Sequence, residues 1–317
     1  MMDTTFIKEK ISTAFSQITL DWPYTRSSGK VREAFVLPDS QRLLVTTDRL
    51  SAFDVVLTAL PYKGQVLNQL SAYWFKTLST IVNNHLLDVV DPNVSLVQDC
   101  SPLPVEVIVR GYITGSTKTS LWTLYESGNR NIYGYTFPDG LQKNDPLPEP
   151  IITPTTKAGP GQHDERLTCD EVVNRGFLDV KTWDAVQQAA LAIFKKGQET
   201  AAAAGFCLVD TKYEFGLSKD GALMLIDEVH TPDSSRYWHL ASLENGTIDQ
   251  WDKEYVRLWY SGQGYRGDGQ PPEIPADVIA EAALRYIHLY EGLTGESFVP
   301  RTYPVEPAII AVLKRYI

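Results

Sequence analysis

The feature that most constrains this chain is an alternating strand that turns back on itself. Gly205 to Leu217 reads Gly-Phe-Cys-Leu-Val-Asp-Thr-Lys-Tyr-Glu-Phe-Gly-Leu. A side-chain period of two puts Asp210, Lys212 and Glu214 on one face, and Val209, Tyr213 and Phe215 on the other. Asp220-Gly221 is a two-residue turn signal, and Ala222 to Val229 is the returning strand. With Asp220 and Gly221 as the central turn residues, Lys219 pairs with Ala222, Phe215 with Ile226, and Glu214 faces Asp227. Carboxylates opposed in this way repel unless a cation sits between them. An oxygen-only pair suits Mg²⁺, which completes its shell with water and substrate phosphates. Lys212, on the same face, can neutralise such a phosphate. A solvated polar face on a half-exposed sheet is the competing reading, and a one-residue change of turn removes the pairing. The run from Asp227 to Trp238, charged and rich in hydroxyls, favours a ligand-binding loop.

Around the hairpin, sheet and helix segregate. Phe6 to Ile18 has helical spacing, followed by short β-rich runs at Val31 to Leu37, Arg42 to Thr47 and Ala52 to Leu57. A helix is expected over about Gln65 to Asn83, with further strands at Leu86 to Val90 and Val105 to Val109. The Pro- and Gly-rich segment from Tyr135 to Gly161 reads as a long ordered loop near function or a connection between lobes. Thr168 to Glu171 has capping-box spacing. Helices follow at Lys181 to Ala204, Gln250 to Tyr260, Ala276 to Thr294 and Pro307 to Tyr316. The class is therefore α+β in two lobes: a small β-rich lobe over 1–109, and a larger one over 110–317 that ends in helices.

Composition narrows the partners. With 39 acidic against 29 basic residues the net charge is −10, which disfavours nonspecific binding to nucleic acid or a membrane. Cys100, Cys169 and Cys207 form no CxxC pair, and the start of the chain lacks a basic, then apolar, leader. A cytoplasmic, monomeric protein is expected. The five histidines show no zinc spacing, and no GxSxG, HRD or DFG element is present.

Several other segments could handle phosphate. Gly29, Lys30 and Arg32 stand in Ser27-Ser28-Gly29-Lys30-Val31-Arg32, just before a strand; Gly allows close backbone approach and the cations offer charge. The pattern fails as a Walker A loop, and a basic surface turn is the plainer alternative. Val109 to Lys118 leaves a strand for a loop bearing Arg110 and Ser116, with a helix expected to begin near Ser116, where free N–H groups attract anions. An ordinary N-cap reads equally well there. Asp48 to Asp54, which includes Ser51, and Thr153 to Lys157 are suggestive in the same sense.

Taken together, Ser28 to Arg32, Thr47 to Asp54, Val105 to Gly111, Leu208 to Gly216 and Asp227 to Trp238 resemble the SAICAR synthetase family, in family order and over most of the chain. Glu33 stands where the family often has Asp, and Thr117-Lys118 where it often has Gly-Trp. The resemblance implies a β-rich lobe facing an ATP-grasp-like lobe, and a ligase that joins aspartate to carboxyaminoimidazole ribotide with ATP and Mg²⁺. It implies that Gly29, Lys30, Arg32 and Lys212 contact ATP phosphates, with Lys157 a further contact, and that Glu214 and Asp227 hold Mg²⁺. Arg110 and Ser116 would meet the ribotide phosphate, while Ser51, Asp54, Asp210, Asp233 and Arg236 line the substrate side; Lys212, Asp210 and Arg236 are the catalytic candidates. Adenine is expected near Val97 to Glu106. A kinase of a small phosphorylated metabolite is the alternative activity, and a silent nucleotide-binding protein the alternative of another class.

Overall fold

The computed structural model describes residues 2–117, 120–157 and 164–317. Lys118, His163 and the end of the Pro- and Gly-rich segment lie outside the described residues. The chain opens with α1 (Thr4–Lys8), then β1 (Arg26–Ser28), β2 (Arg32–Leu37), β3 (Gln41–Thr46), β4 (Arg49–Ala52), β5 (Val55–Ala59) and α2 (Lys63–Thr77). It continues through β6 (Leu86–Asp91), β7 (Val94–Gln98), β8 (Ser101–Tyr112), α3 (Leu121–Glu126), β9 (Asn131–Ile132), β10 (Tyr135–Thr136) and β11 (Pro146–Thr156). The rest comprises α4 (Cys169–Asn174), α5 (Val180–Ala203), β12 (Phe206–Leu217), β13 (Leu223–Ile226), β14 (Ser235–His239), α6 (Leu240–Glu244), α7 (Glu254–Gly262), α8 (Ala276–Thr294) and α9 (Glu306–Leu313).

Two five-stranded sheets carry the architecture, which is α+β as expected. The first runs β1-β2-β3-β7-β6; the second runs β11-β8-β12-β13, with β14 also pairing with β12. Alternation makes each sheet two-faced. In β2, Phe35 and Leu37 point inward and join Leu43, Val45, Ile309 and Leu313 in one core. The larger core lies against the second sheet, where Tyr213 and Phe215 of β12 meet Leu70 and Trp74 of α2, Ile193 and Phe194 of α5, and Ile287 of α8. The capping box at α4 forms as its spacing predicts, with Thr168 and Glu171 bonding reciprocally.

Several expectations are corrected. The helix over Phe6 to Ile18 is cut to α1 and one 3₁₀ turn, Ile11–Thr13. Ala52 to Leu57 is a hairpin rather than a strand, because Phe53 and Asp54 both adopt positive φ between β4 and β5. The helix placed near Ser116 starts at Leu121, capped by the Ser120 hydroxyl. Part of the loop expected over 135–161 is β11, whose prolines are tolerated because it is an edge strand.

The main hairpin is shifted by one residue. Leu217 pairs with Leu223 and Glu214 with Ile226, so Glu214 does not face Asp227 in the ladder. A longer loop causes the shift: Ser218 N–H bonds the Ala222 carbonyl, Gly221 N–H bonds the Ser218 carbonyl, and Gly221 takes φ 79°. A second irregularity moves Val209. A bulge between Leu208 and Asp210 resets the alternation against β14. Val209 therefore packs with Cys207 and Trp238, away from Tyr213 and Phe215.

Candidate functional site

The polar face of β12 is built as its alternation requires, but its carboxylate opposition lies on the other edge. Glu214 is registered opposite Glu106 of β8. Lys212 resolves the repulsion, its Nζ lying 2.8 Å from Glu106 Oε1 and 2.6 Å from Glu214 Oε1. Lys157 pairs with the second oxygen of Glu214. Burial pushes the Glu214 carboxyl up, but Lys212 and Lys157 outweigh it and bring it down to about 2. For the Lys212 ammonium burial acts downward, and Glu214, Glu106 and Asp227 together raise it above the usual lysine range.

Asp227 has left the ladder at φ 67°. Its Oδ1 accepts from Arg32 Nη1 at 3.0 Å, and the other end of that guanidinium meets Glu228 at 2.8 Å. Burial, with the charges of Glu214 and Glu228, raises the Asp227 carboxyl to about 6 although Arg32 opposes the rise. Glu214, Asp227 and Lys157 still line one open cleft of about 470 Å³, together with Gln98, Cys100 and Pro102 of the segment expected to meet adenine. The expected pair thus shares a cavity without sharing a rung. Both donors are oxygen, they face the same space, and the charge of Glu214 adds to the rise that burial imposes on Asp227. These residues fit a hard divalent cation. Among the described residues no three His, Cys, Asp or Glu side chains group to hold a metal, so water and phosphate oxygens would complete its shell.

A second cleft of about 310 Å³ is lined by Asp210, Asp233, Ser234, Arg236, Lys253 and Arg257. Asp210 sits between two guanidiniums: Arg236 pairs with it directly and Arg110 Nη1 lies 3.5 Å away. Arg110 also donates to Thr153 Oγ1 at 2.8 Å. Ser116 Oγ donates to Glu254 Oε1 at 2.9 Å, and Arg257 pairs with the same carboxylate. Burial pushes Asp252 up to about 7 against the charge of Arg236, and burial lowers the Lys253 ammonium. The wall carries Arg236, Lys253 and Arg257 alongside Asp210, Asp233 and Asp252, so it can meet both the anionic and the hydrogen-bond-donating groups of a substrate.

Other candidates lie apart. The loop of Gly29 and Lys30 is pinned by Arg49, which bonds the Gly29 and Lys30 carbonyls at 2.9 and 3.0 Å. Lys30 pairs with Asp54, so two residues given separate roles meet each other. Ser51 is buried in β4 and lines neither cleft. Lys63, Glu106, Glu228, Asp252, Lys253, Glu254 and Arg257 were not singled out from sequence. Lys253 and Arg257 carried a usable signal, two cations four residues apart at a helix start; the others become visible only through long-range pairing.

The SAICAR synthetase family model matches residues 25–272. A phosphoribosylaminoimidazole-succinocarboxamide synthase from Legionella pneumophila (strain Paris) is 48% identical over 302 residues, covering 91% of this chain and 94% of its own length. A SAICAR synthase from Saccharomyces cerevisiae complexed with SAICAR superposes with a TM-score of 0.78 at 32% identity, covering 90% of this chain and 99% of that one. A type-2 SAICAR synthetase in complex with ADP shares the fold with a TM-score of 0.67 at 24% identity, covering 87% of this chain and 100% of that one. A match over most of the chain, joined to a curated relative of nearly equal length, decides against the kinase alternative: the chain belongs to the SAICAR synthetase family.

Proposed function

We propose that this protein is an ATP-dependent ligase that condenses L-aspartate with carboxyaminoimidazole ribotide, giving SAICAR, ADP and phosphate in purine biosynthesis. Family membership supports this reading, as does the yeast relative complexed with SAICAR. One observation carries it further: β12 presents two anion-handling sites on one face, Glu214 in the first cleft and Asp210 in the second, with Lys212 midway. Four residues of strand span about 13 Å, a separation that supports binding a triphosphate and its acceptor along the same strand.

In this reading ATP lies in the first cleft, covered by Gly29, Lys30 and Arg32 of the lobe over 1–109, with adenine toward Gln98 to Pro102. Glu214 and Asp227 would hold Mg²⁺, which when bound neutralises phosphate oxygens. The lobe over 110–317 supplies the second cleft, where Arg110 and Ser116 take the ribotide phosphate, and Asp210, Asp233 and Arg236, with Asp54 further out, face the substrates. The protein acts as a monomer in the cytoplasm.

The residues present explain how such a reaction proceeds without a protein nucleophile. A carboxylate is a poor acyl donor because oxide would have to leave. Its oxygen instead attacks the γ-phosphorus, the bond to ADP breaks, and an acyl phosphate forms. The aspartate amine then attacks the acyl carbon, phosphate leaves with the original carboxylate oxygen, and the nitrogen loses a proton. Lys212, released from its carboxylates by the incoming phosphates, together with Lys157 and Arg32, offsets the charge on the transferring group. Arg236 and Asp210 hold the acceptor in place, so alignment supplies much of the rate. Oxygen-18 placed in the substrate carboxylate tests the route. The label should appear in released phosphate, and unlabelled phosphate would exclude the acyl phosphate.

A further inference from the structure

Asp233 is 7% exposed and forms part of the wall of the second cleft. From behind, two elements distant in sequence grip its carboxylate. Lys63, at the start of α2, places Nζ 2.9 Å from Oδ2. Tyr286, within α8, donates its hydroxyl to Oδ1 at 3.0 Å. Both side chains are buried, Lys63 completely. An ammonium so enclosed is tolerable only with a well-placed counter-charge, and Asp233 provides it.

The start of α2 is fixed in turn by the end of the chain. Asp48 accepts from Gly64 N–H at 2.9 Å through one oxygen and from the Tyr303 hydroxyl at 2.6 Å through the other. Gln65 donates to the Val299 carbonyl at 2.8 Å and accepts from Arg301 N–H at 3.2 Å. Tyr286, Val299, Arg301 and Tyr303 all lie beyond residue 272, where the family match ends.

We propose that Lys63 and Tyr286 are positioning residues that keep Asp233 ionised and aimed into the second cleft, and that the chain beyond residue 272 thereby takes part in substrate binding. The inference rests on reading that cleft as the substrate side. Each carboxylate oxygen has a lone pair left after its partner behind is satisfied, so Asp233 can still accept from a ligand amine or hydroxyl in front. The groups facing it are Lys63 from α2, Tyr286 from α8, Lys253 from the turn before α7, and Arg32 from β2. Burial pushes the Asp233 carboxyl up, and Lys63, then Lys253 and the two hydrogen bonds, bring it below its usual range. Removing a clamp donor must therefore raise it.

The test compares Tyr286→Phe and Lys63→Gln with the parent protein, measuring kcat and KM for ATP, aspartate and ribotide across pH. Loss of one charge-assisted hydrogen bond should lower kcat/KM for at least one of the two non-nucleotide substrates about tenfold. The KM for ATP should change less than about twofold. Equal losses for all three substrates, or no loss for any, overturn the proposal. Should Lys63→Gln fail to fold, Tyr286→Phe decides alone. A carbon-13 titration of the Asp233 carboxyl, assigned with Asp233→Asn, reads the clamp without turnover. It should titrate higher in Tyr286→Phe, and an unchanged value overturns the clamp. Failure of the ligase reading would show instead in the parent protein, as ADP release that ignores aspartate.

Discussion

Replacing Tyr303 with Phe isolates one hydroxyl that joins the end of the chain to the start of α2. That hydroxyl accepts from Tyr62 N–H at 2.7 Å and donates to Asp48 Oδ2 at 2.6 Å, while its ring packs edge-on against Tyr62 at 4.8 Å. Phe keeps the ring contact and removes both hydrogen bonds. A bond to a charged acceptor is worth about 2 kcal/mol, and a buried N–H left unpaired costs about 1 kcal/mol or more, so the expected loss is about 3 kcal/mol near neutral pH. The cost should depend on pH. Burial pushes the Asp48 carboxyl up to about 6, against the hydrogen bonds from Tyr303, Gly64 and Phe15. The folded state therefore binds a proton that the unfolded chain, with an aspartate near ~3.9, does not hold over the same interval. Stability from this group accordingly rises as pH falls from about 6 toward about 4, and is lost as pH rises again. Once Asp48 is protonated, its bond to Tyr303 drops to the value of a neutral pair. Urea unfolding followed by tryptophan fluorescence should thus give a penalty near ~3 kcal/mol at about pH 7.5, and about 1 kcal/mol less at about pH 5. A penalty under ~0.5 kcal/mol, or one equal at both pH values, would refute the reasoning.

Three further substitutions probe other joints of the structure. Asp227→Asn should raise the Mg²⁺ concentration needed for turnover and cut the rate roughly 100-fold or more; Mg²⁺ titration of activity checks this, and an unchanged requirement removes Asp227 from the metal seat. Gly64→Ala would bring a methyl to 2.4 Å from the Thr46 carbonyl oxygen and 2.6 Å from Asn93 Nδ2, so denaturation should show a loss of about 3 kcal/mol. Glu254→Gln removes the charge that Arg236 and Arg257 share and that Ser116 bonds. Steady-state kinetics should show a KM for the ribotide raised roughly tenfold with that for ATP unmoved.

Much of the fold was legible because strong local periodicity and tertiary structure agreed. The helix ending at Thr294, the capping box at Thr168 and the alternation of β12 needed no distant partner to be read. Failures arose where one residue or a distant contact decided. Asp220-Gly221 is equally compatible with a two-residue turn and with the longer loop that formed, and the choice moved Glu214 from Asp227 to Ile226. The bulge at Val209 is imposed by pairing with β14, and β11 is a strand because β8 offers an edge, despite its prolines. In the site, Lys212 pairs with Glu214 and Arg236 with Asp210, neighbours that strand alternation and the following loop made legible. Lys63, Glu106 and Glu254 stayed hidden, because a buried charge reveals itself only through a partner far away in sequence.

The central claim is that the two clefts couple ATP cleavage to amide formation. Coupled measurement of ADP release with ATP, aspartate and ribotide present, and then with each omitted in turn, tests it most directly. Sustained release that requires all three, matched mole for mole by SAICAR, is the predicted result. Sustained release of ADP without aspartate, or no release with all three present, would contradict it.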